Sequence, residues 1–165
     1  MQTKKVVITG LGVIAPNGTG IEKFWNNTLQ GISGIKSYEW GKRFGFKSAS
    51  IGQVDDFSPF LYDVSERQIQ SSGRYLQFAL GAANMAVADA GLDINEVDRT
   101  RFGVMVASAI ADAATMEQNL LYMTNNGTED VDTAWVGRQF YDNLDFGMRS
   151  LHSRELPLFF IRPVP

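Results

Sequence analysis

The chain has 165 residues, of which 44% are hydrophobic and 20% charged, a composition typical of a globular domain. Its net charge of −3 gives no electrostatic reason to expect nucleic acid as a partner. No apolar run approaches the ~20 residues that a membrane-spanning helix needs, and no signal-peptide pattern opens the chain, so we expect a cytoplasmic protein with no membrane partner. The chain has no cysteine and a single histidine, which excludes disulfides and a cysteine nucleophile within it, and we expect neither a metal nor a cofactor.

The N-terminal stretch combines an apolar run with a glycine turn. Val6-Val7-Ile8 is typical of a strand buried on both faces, and Gly10-Leu11-Gly12-Val13-Ile14-Ala15 satisfies the dinucleotide-binding pattern G-x-G-x-x-A. That pattern requires a helix directly after the turn and a strand that delivers an acidic residue about 20 positions later. Here Pro16 falls where the helix should run, and no buried strand precedes Glu39. We therefore interpret the turn as structural.

Three helices and a second strand are predicted beyond this turn. Thr19-Gly20-Ile21-Glu22 is a capping box that begins the first helix, and Gly31 is placed to end it. The second helix is rich in alanine, which favours close packing between other layers, and Asp132 is placed to cap a further helix. This order indicates an α/β layered fold. The predicted elements are strand 6–8, helix 20–30, an irregular segment 32–63 in which Phe44 and Phe46 alternate, a helix capped by Ser71-Ser72 and ended by Gly91, strand 102–107, and helix 112–125.

A series of short motifs resembles the N-terminal part of the β-ketoacyl synthases, the condensing enzymes of fatty acid and polyketide assembly, which have a thiolase-like α/β fold. Each motif is short, and the specificity comes from their joint order between positions 6 and 104. A later segment, Phe159-Phe160-Ile161, is similar to the Phe-Phe segment that precedes the catalytic cysteine of that family. The ordered motifs are Val6-Val7-Ile8-Thr9-Gly10-Leu11-Gly12, Pro16-Asn17-Gly18, Phe24-Trp25 with Leu29, Gly31-Ile32-Ser33-Gly34-Ile35, Gly52-Gln53-Val54-Asp55-Asp56-Phe57, Arg74-Tyr75-Leu76-Gln77-Phe78-Ala79, Ala88-Asp89-Ala90-Gly91-Leu92 and Arg101-Phe102-Gly103-Val104.

The resemblance implies an enzyme that joins an acyl chain to a malonyl unit on an acyl carrier protein. In the family a cysteine takes the acyl group as a thioester, decarboxylation generates a carbanion, and two histidines stabilise the enolate oxygen. No catalytic residue is carried over to this chain, because it has no cysteine and its one histidine, His152, lies in a poorly matched segment. The implied partners are an acyl carrier protein and a second subunit, either a second copy or a homologous chain.

The resemblance also implies a wall of the acyl pocket. Ala107-Ser108-Ala109-Ile110-Ala111 stands where the family has a Gly-Ser-Gly-Ile-Gly type of stretch, and Ile110 matches an apolar residue that lines the acyl site. Phe159-Phe160-Ile161 resembles residues near that pocket and the subunit boundary. For all four apolar side chains a purely structural role in the core is an equal alternative. Ser71-Ser72-Gly73-Arg74 stands in place of the family's Arg-Met-Asp-Arg, so the acid before the long helix is lost.

We expect residues 1–165 to be the N-terminal part of a β-ketoacyl synthase-like domain, truncated before the nucleophile position. Two strands and three helices would leave sheet edges unpaired, and the apolar run at 158–161 would stay uncovered unless further chain, or a second chain, completes the fold. The leading function is decarboxylative condensation by the complete enzyme, in fatty acid or polyketide biosynthesis. Two alternatives stay open. One is a non-catalytic or decarboxylase-type homologue or chain-length partner subunit, and the other is an NAD(P)-dependent oxidoreductase.

Overall fold

The computed structural model of the chain describes residues 6–105, 108 and 112–129. Within these residues the chain forms five α-helices, two antiparallel strand pairs and two 3-10 helices, and none of the described helices is both long and apolar enough to cross a membrane. In chain order the elements are β1 (Ile14–Ala15), β2 (Gly18–Thr19), α1 (Ile21–Leu29), β3 (Ile35–Ser37), α2 (Glu39–Arg43), β4 (Ser50–Gly52), a 3-10 helix (Pro59–Tyr62), α3 (Glu66–Ser71), α4 (Arg74–Asp89), a 3-10 helix (Arg99–Arg101) and α5 (Ala113–Asn126).

These elements belong to two compact units. The first unit comprises Met1–Asp63 and Gly81–Leu92, and the second comprises Val64–Leu80 and Asp93–Pro165. Helix α4 therefore contributes its N-terminal residues to the second unit and its C-terminal residues to the first. Each unit is described below by itself.

Each unit has a small apolar core. In the second unit the buried apolar side chains among the described residues are Val64, Leu76 and Leu80, and the last two lie on the face of α4 that the sequence predicts to be buried. In the first unit Phe57 is buried, and its ring stacks on that of Tyr62 with the two centroids 5.6 Å apart. The apolar spacing of the sequence predicts that Leu76, Leu80, Ala83, Val87 and Ala90 share one face of this helix, and the burial of that face is confirmed at Leu76 and Leu80.

The glycine turn packs on the backbone of α4 in the first unit. A Cβ atom on Gly10 would overlap the carbonyl oxygen of Ala86 and lie 2.7 Å from the amide nitrogen of Ala90, and one on Gly12 would overlap the carbonyl of Ala82. The three alanines are spaced by four residues, so they lie on one face of the helix. The close packing predicted from the alanine content of this helix is confirmed, because backbone approaches backbone with no side chain between them.

The two predicted buried strands are wrong for the described residues. Val6-Val7-Ile8 is not a strand, and the side chain of Val6 is 95% exposed. Residues 102–105 also form no strand, and Met105 is 71% exposed. An apolar run becomes a strand only where a neighbouring strand supplies hydrogen-bond partners, and the strand pairs of the described residues are β1 with β2 and β3 with β4.

The predicted helix ends are confirmed more often than the predicted caps. Gly31 and Gly91 follow α1 and α4 with φ angles of 67° and 60°, a backbone conformation that favours glycine. The capping box at the start of α1 is wrong, because the N-cap is Gly20 and it makes no side-chain capping hydrogen bond. The hydroxyl of Thr19 instead donates to Oδ1 of Asp56 at 2.8 Å. The Thr19 side chain therefore bonds to a residue distant in sequence and not to a backbone amide in the first turn of α1.

The segment between α1 and the first 3-10 helix is more regular than the sequence predicts. Strands β3 and β4 pair with Ile35 opposite Gly52, within a segment that the sequence predicts to be irregular. Helix α2 is not predicted, since the alternation of Phe44 and Phe46 favours extended chain. In the structure Trp40 and Phe44 lie one helical turn apart, and their ring centroids are 4.4 Å from each other.

Helix α3 is also absent from the predicted elements, although a local signal for it exists. Ser65 and Gln68 form a capping box, in which the Ser65 amide donates to Oε1 of Gln68 at 2.9 Å and the Gln68 amide donates to Oγ of Ser65 at 3.3 Å. The pattern Ser-x-x-Gln is a recognised helix start. Ser71, which is predicted to cap α4, is instead the last residue of α3.

We predict that Gly12→Ala destabilises the protein, because its Cβ atom would collide with the backbone of α4, which can yield only by moving the helix. Overpacking of this kind costs about 1–3 kcal/mol in the free energy of unfolding. The matched control is Gly103→Ala, since no heavy atom lies within 4 Å of a Cβ at that position and φ is not positive there. Chemical denaturation measures the free energy of unfolding of both variants. Equal stability of the two would show that the backbone at Gly12 does not pack closely on α4.

Candidate functional site

The glycine turn does not have the geometry of a dinucleotide site. The chain leaves Gly12 into the β1–β2 pair, and α1 begins only at Ile21. The amide of Leu11 donates to Oδ2 of Asp89 at 2.9 Å, so an internal carboxylate takes a backbone donor that a pyrophosphate would need. The turn therefore leads to no helix that could face a phosphate, and the structural interpretation of it agrees with the geometry.

A cleft of about 220 Å³ lies beside the turn between β1 and β2. Glycines allow the surrounding backbone to approach this turn, because a Cβ on Gly34 would overlap the backbone of Pro16 and Asn17, and one on Gly52 would lie 2.9 Å from Cγ of Pro16. Residues near the ends of β2, α1, β3 and β4 thus meet around one concavity. Its lining residues are Pro16, Asn17, Gly18, Lys23, Asn27, Ile32, Ser33, Lys36, Asp55 and Asp56.

The charges of this cleft are paired with one another. Lys23 Nζ contacts Oδ2 of Asp56 at 2.5 Å, and Lys36 Nζ contacts Oδ2 of Asp55 at 2.9 Å. The described part of the chain also contains no group of three residues that could hold a metal ion. Two neutralised pairs at the surface offer little attraction to a charged ligand, so we interpret the cleft as a structural junction of the first unit.

Asp56 is the electrostatic centre of that junction. The hydrogen bond from Lys23, followed by that from the Thr19 hydroxyl, holds the pKa of the Asp56 carboxyl below its ordinary value. Thr19 itself is buried, so Asp56 satisfies a hydroxyl that water reaches poorly. The carboxylate therefore links the start of α1 to the segment after β4.

A second arrangement, in the second unit, begins at the residue that follows the predicted acyl-pocket wall in the sequence. Asp112, the residue after 107–111, is 5% exposed and is the N-cap of α5, where its Oδ1 accepts from the Thr115 amide at 3.3 Å. Its carboxylate lies directly against Gly73, so that a Cβ on this glycine would overlap it. Burial, followed by the negative charge of Asp112, raises the pKa of the Tyr75 hydroxyl. A buried carboxylate thus joins the start of α4 to the start of α5.

The predicted site residues themselves lie outside the described part of the chain. These are Ile110, Phe159, Phe160 and Ile161. Sequence reasoning identified Asp112 only as the beginning of a helix and missed its contact with Gly73. The signal that could have found it is the acid missing at position 73, together with the acid directly after residues 107–111.

Comparison with known proteins identifies one family. The family described as Beta-ketoacyl synthase, N-terminal domain, matches residues 3–143. Granaticin polyketide beta-ketoacyl synthase 1 of Streptomyces violaceoruber is 35% identical over 147 residues, which are 88% of this chain and 35% of that protein. The chain spans about a third of the length of the curated relatives that it matches.

Two solved structures that resemble this chain are also described as ketosynthases. One of them is a chain of the AntDE:AntF complex, described as a type II PKS acyl-carrier protein in complex with its ketosynthase bound to the hexaketide. It is 42% identical to this chain with a TM-score of 0.74, and the match covers 96% of this chain and 38% of that one. The ishigamide ketosynthase/chain length factor is 27% identical with a TM-score of 0.72, over 87% of this chain and 36% of that one. The thiolase-like α/β fold expected from the sequence is confirmed.

We predict that Asp56→Asn lowers the free energy of unfolding near neutral pH by about 0.5–1 kcal/mol, a small value because the ion pair is partly exposed. The folded-state pKa of Asp56 is depressed, so its contribution is present above the unfolded value of 3.8 and is lost as the pH falls below that value. Unfolding of the variant and the parent is compared at several pH values. Asp55→Asn is the control, since it breaks the neighbouring, more exposed pair. The prediction would be contradicted if the free energies of unfolding of Asp56→Asn and the parent differed as much at pH 2–3 as near neutral pH.

Proposed function

This chain belongs to the β-ketoacyl synthase family, and we propose that it is the N-terminal part of a synthase domain that condenses acyl and malonyl thioesters on an acyl carrier protein. The observation that carries the proposal is the family match over residues 3–143, together with the likeness to the AntDE:AntF ketosynthase complex along 96% of the chain. The similar proteins include the granaticin polyketide synthase and the type II PKS ketosynthase of the AntDE:AntF complex, which favours a polyketide pathway over a fatty acid pathway. We place the activity in the cytoplasm.

The proposed reaction forms one carbon–carbon bond and releases carbon dioxide. A cysteine thiolate first takes the acyl group from the carrier as a thioester. Loss of carbon dioxide from the malonyl thioester then leaves its electron pair on the α-carbon, which attacks the acyl carbonyl and expels the thiolate. Because this chain has no cysteine, the nucleophile must come from sequence outside these residues or from another subunit.

What these residues contribute is the frame of the acyl site. We propose that Ile110 and the segment Phe159-Phe160-Ile161 line the acyl pocket, on the support of their match to the family pattern. Ile110 is separated from the buried N-cap Asp112 by a single residue. A short connection to a buried anchor suits a residue that must hold an apolar wall in place.

The proposed partners are an acyl carrier protein and a homologous second subunit. Support for the carrier comes from the AntDE:AntF complex, in which a ketosynthase binds an acyl-carrier protein. Support for pairing with a homologous chain comes from the ishigamide ketosynthase/chain length factor. The same likeness favours a second candidate function, in which this chain belongs to a chain-length partner without a nucleophile.

Peptide mapping of the natural protein after incubation with an acyl carrier protein loaded with an acyl group distinguishes the two functions. Our proposal expects an acyl group on one cysteine and, after malonyl-loaded carrier is added, a β-ketoacyl product. A protein whose nucleophile position holds glutamine, serine or alanine, with no acyl adduct, would support the chain-length partner and contradict condensation by this protein.

We predict that Ile110→Phe shortens the longest acyl chain that the protein accepts, because the larger ring occupies part of the pocket. The measurement is the ratio of kcat/KM for a long and a short acyl carrier substrate, with expected discrimination of about 10-fold. Leu76→Met is the control, since it makes a volume-conserving change in a described core position outside the proposed wall. An Ile110→Phe protein with a lower melting temperature and unchanged selectivity would show that Ile110 is only a core residue.

A further inference from the structure

The tripeptide Asn-Gly-Thr occurs twice in the chain, from Asn17 to Thr19 and from Asn126 to Thr128. An asparagine followed by glycine is prone to spontaneous deamidation, because a glycine has no side chain to shield its amide nitrogen or to restrict its backbone. The two copies share the same reacting residues, so their intrinsic reactivities are similar. A difference in rate between them would therefore report how the fold holds each copy.

Deamidation is a reaction between an asparagine side chain and the next backbone amide. The glycine nitrogen attacks Cγ of the asparagine, so that a new carbon–nitrogen bond forms and the side-chain nitrogen leaves as ammonia with the proton of the glycine amide. Water then opens the succinimide ring at one of its two carbonyl groups and leaves aspartate or isoaspartate. The reaction requires that the two groups can turn towards each other to within contact distance.

The fold holds the first copy on both sides of the reacting bond. The side-chain amide of Asn17 donates to Oγ1 of Thr28 at 3.2 Å, and its backbone carbonyl accepts from the side-chain amide of Asn27. Gly18 is buried within β2, and a Cβ atom built on it would lie 2.9 Å from Cγ of Lys23. Neither reacting group can turn towards the other unless the β1–β2 turn first separates from α1.

The second copy lies at the exposed C-terminal end of α5. The side-chain amide of Asn126 donates to the carbonyl of Tyr122 at 3.1 Å, and the Gly127 amide donates to the carbonyl of Met123 at 3.0 Å. Both hydrogen bonds belong to the last turn of the helix, and helix ends open by fraying at little cost. Among the described residues, no heavy atom beyond the chain neighbours lies within 4 Å of a Cβ built on Gly127.

We propose that Asn126 is a modification site at which the chain deamidates spontaneously, whereas the fold protects Asn17 in the same tripeptide. Opening the first copy breaks two hydrogen bonds to another element and moves a packed glycine, while opening the second copy only frays one helical turn. The inference goes beyond the proposed function and does not depend on it, because it concerns the covalent chemistry of the chain itself.

The product changes the charge at the end of α5. A carboxylate at position 126 lies beside the last carbonyl groups of the helix, which carry the negative end of its dipole, and the last turn contains no basic residue. We expect amide hydrogen exchange in this turn to be about 2–5-fold faster in Asn126→Asp than in the parent. The neutral variant Asn126→Gln is the control and should exchange at the parent rate. Equal exchange in the two variants would overturn this effect of the charge.

Peptide mapping of the natural protein, incubated at neutral pH for increasing times, tests the selectivity. Each tripeptide is followed by the mass increase that accompanies replacement of –NH2 by –OH, and by the appearance of isoaspartate. Asn126 is expected to react about 10-fold faster than Asn17, because two more hydrogen bonds hold the first copy. In urea the two rates should converge. Equal rates in the folded protein, or a difference that persists unchanged in urea, would overturn the protection by the fold.

Thr28→Val tests the protecting contact directly. It removes the acceptor of the Asn17 side-chain amide at an exposed position of α1, with little change of shape. The rate at Asn17 is expected to rise about 3-fold, while the rate at Asn126 in the same protein stays at the parent value and is the internal control. An unchanged rate at Asn17 would show that this hydrogen bond does not protect it.

Discussion

The backbone contact between the glycine turn and helix α4 is the constraint on which the first unit depends. Gly10 and Gly12 lie so close to the helix that no β-carbon fits between them and its carbonyl groups. The contact requires small residues on the helix as well, which explains the alanines at every fourth position. It also directs the chain into the β1–β2 pair, and thereby places the turn that borders the cleft.

Carboxylates inside the chain fix the positions of elements that are distant in sequence. Asp89 accepts from the glycine-turn amide, Asp56 joins Thr19 and Lys23, and Asp112 lies between the starts of two helices. In each case the acid satisfies a backbone or hydroxyl donor, or fills a space left by a glycine. By composition, a glycine-rich turn and several acids suggest a nucleotide or metal site, but their partners within the fold assign them a structural role.

The described residues therefore form a framework in which glycines and carboxylates set the contacts between elements. The chain spans about a third of the length of its curated relatives and has no cysteine. Its proposed contribution to the condensation chemistry is an apolar wall of the acyl pocket.

Features that depend on neighbouring residues could be predicted from local spacing. The helices α1, α4 and α5, the glycines that end two of them, and the ordered motifs that identify the family all depend on residues within a few positions of one another. Strand pairing, the partner of Thr19 and the contact of Gly73 with Asp112 could not be predicted in this way. Each of these depends on which distant segment comes within about 3 Å, and hydrogen bonds and steric overlap operate only at that range. Tertiary packing alone decides that proximity.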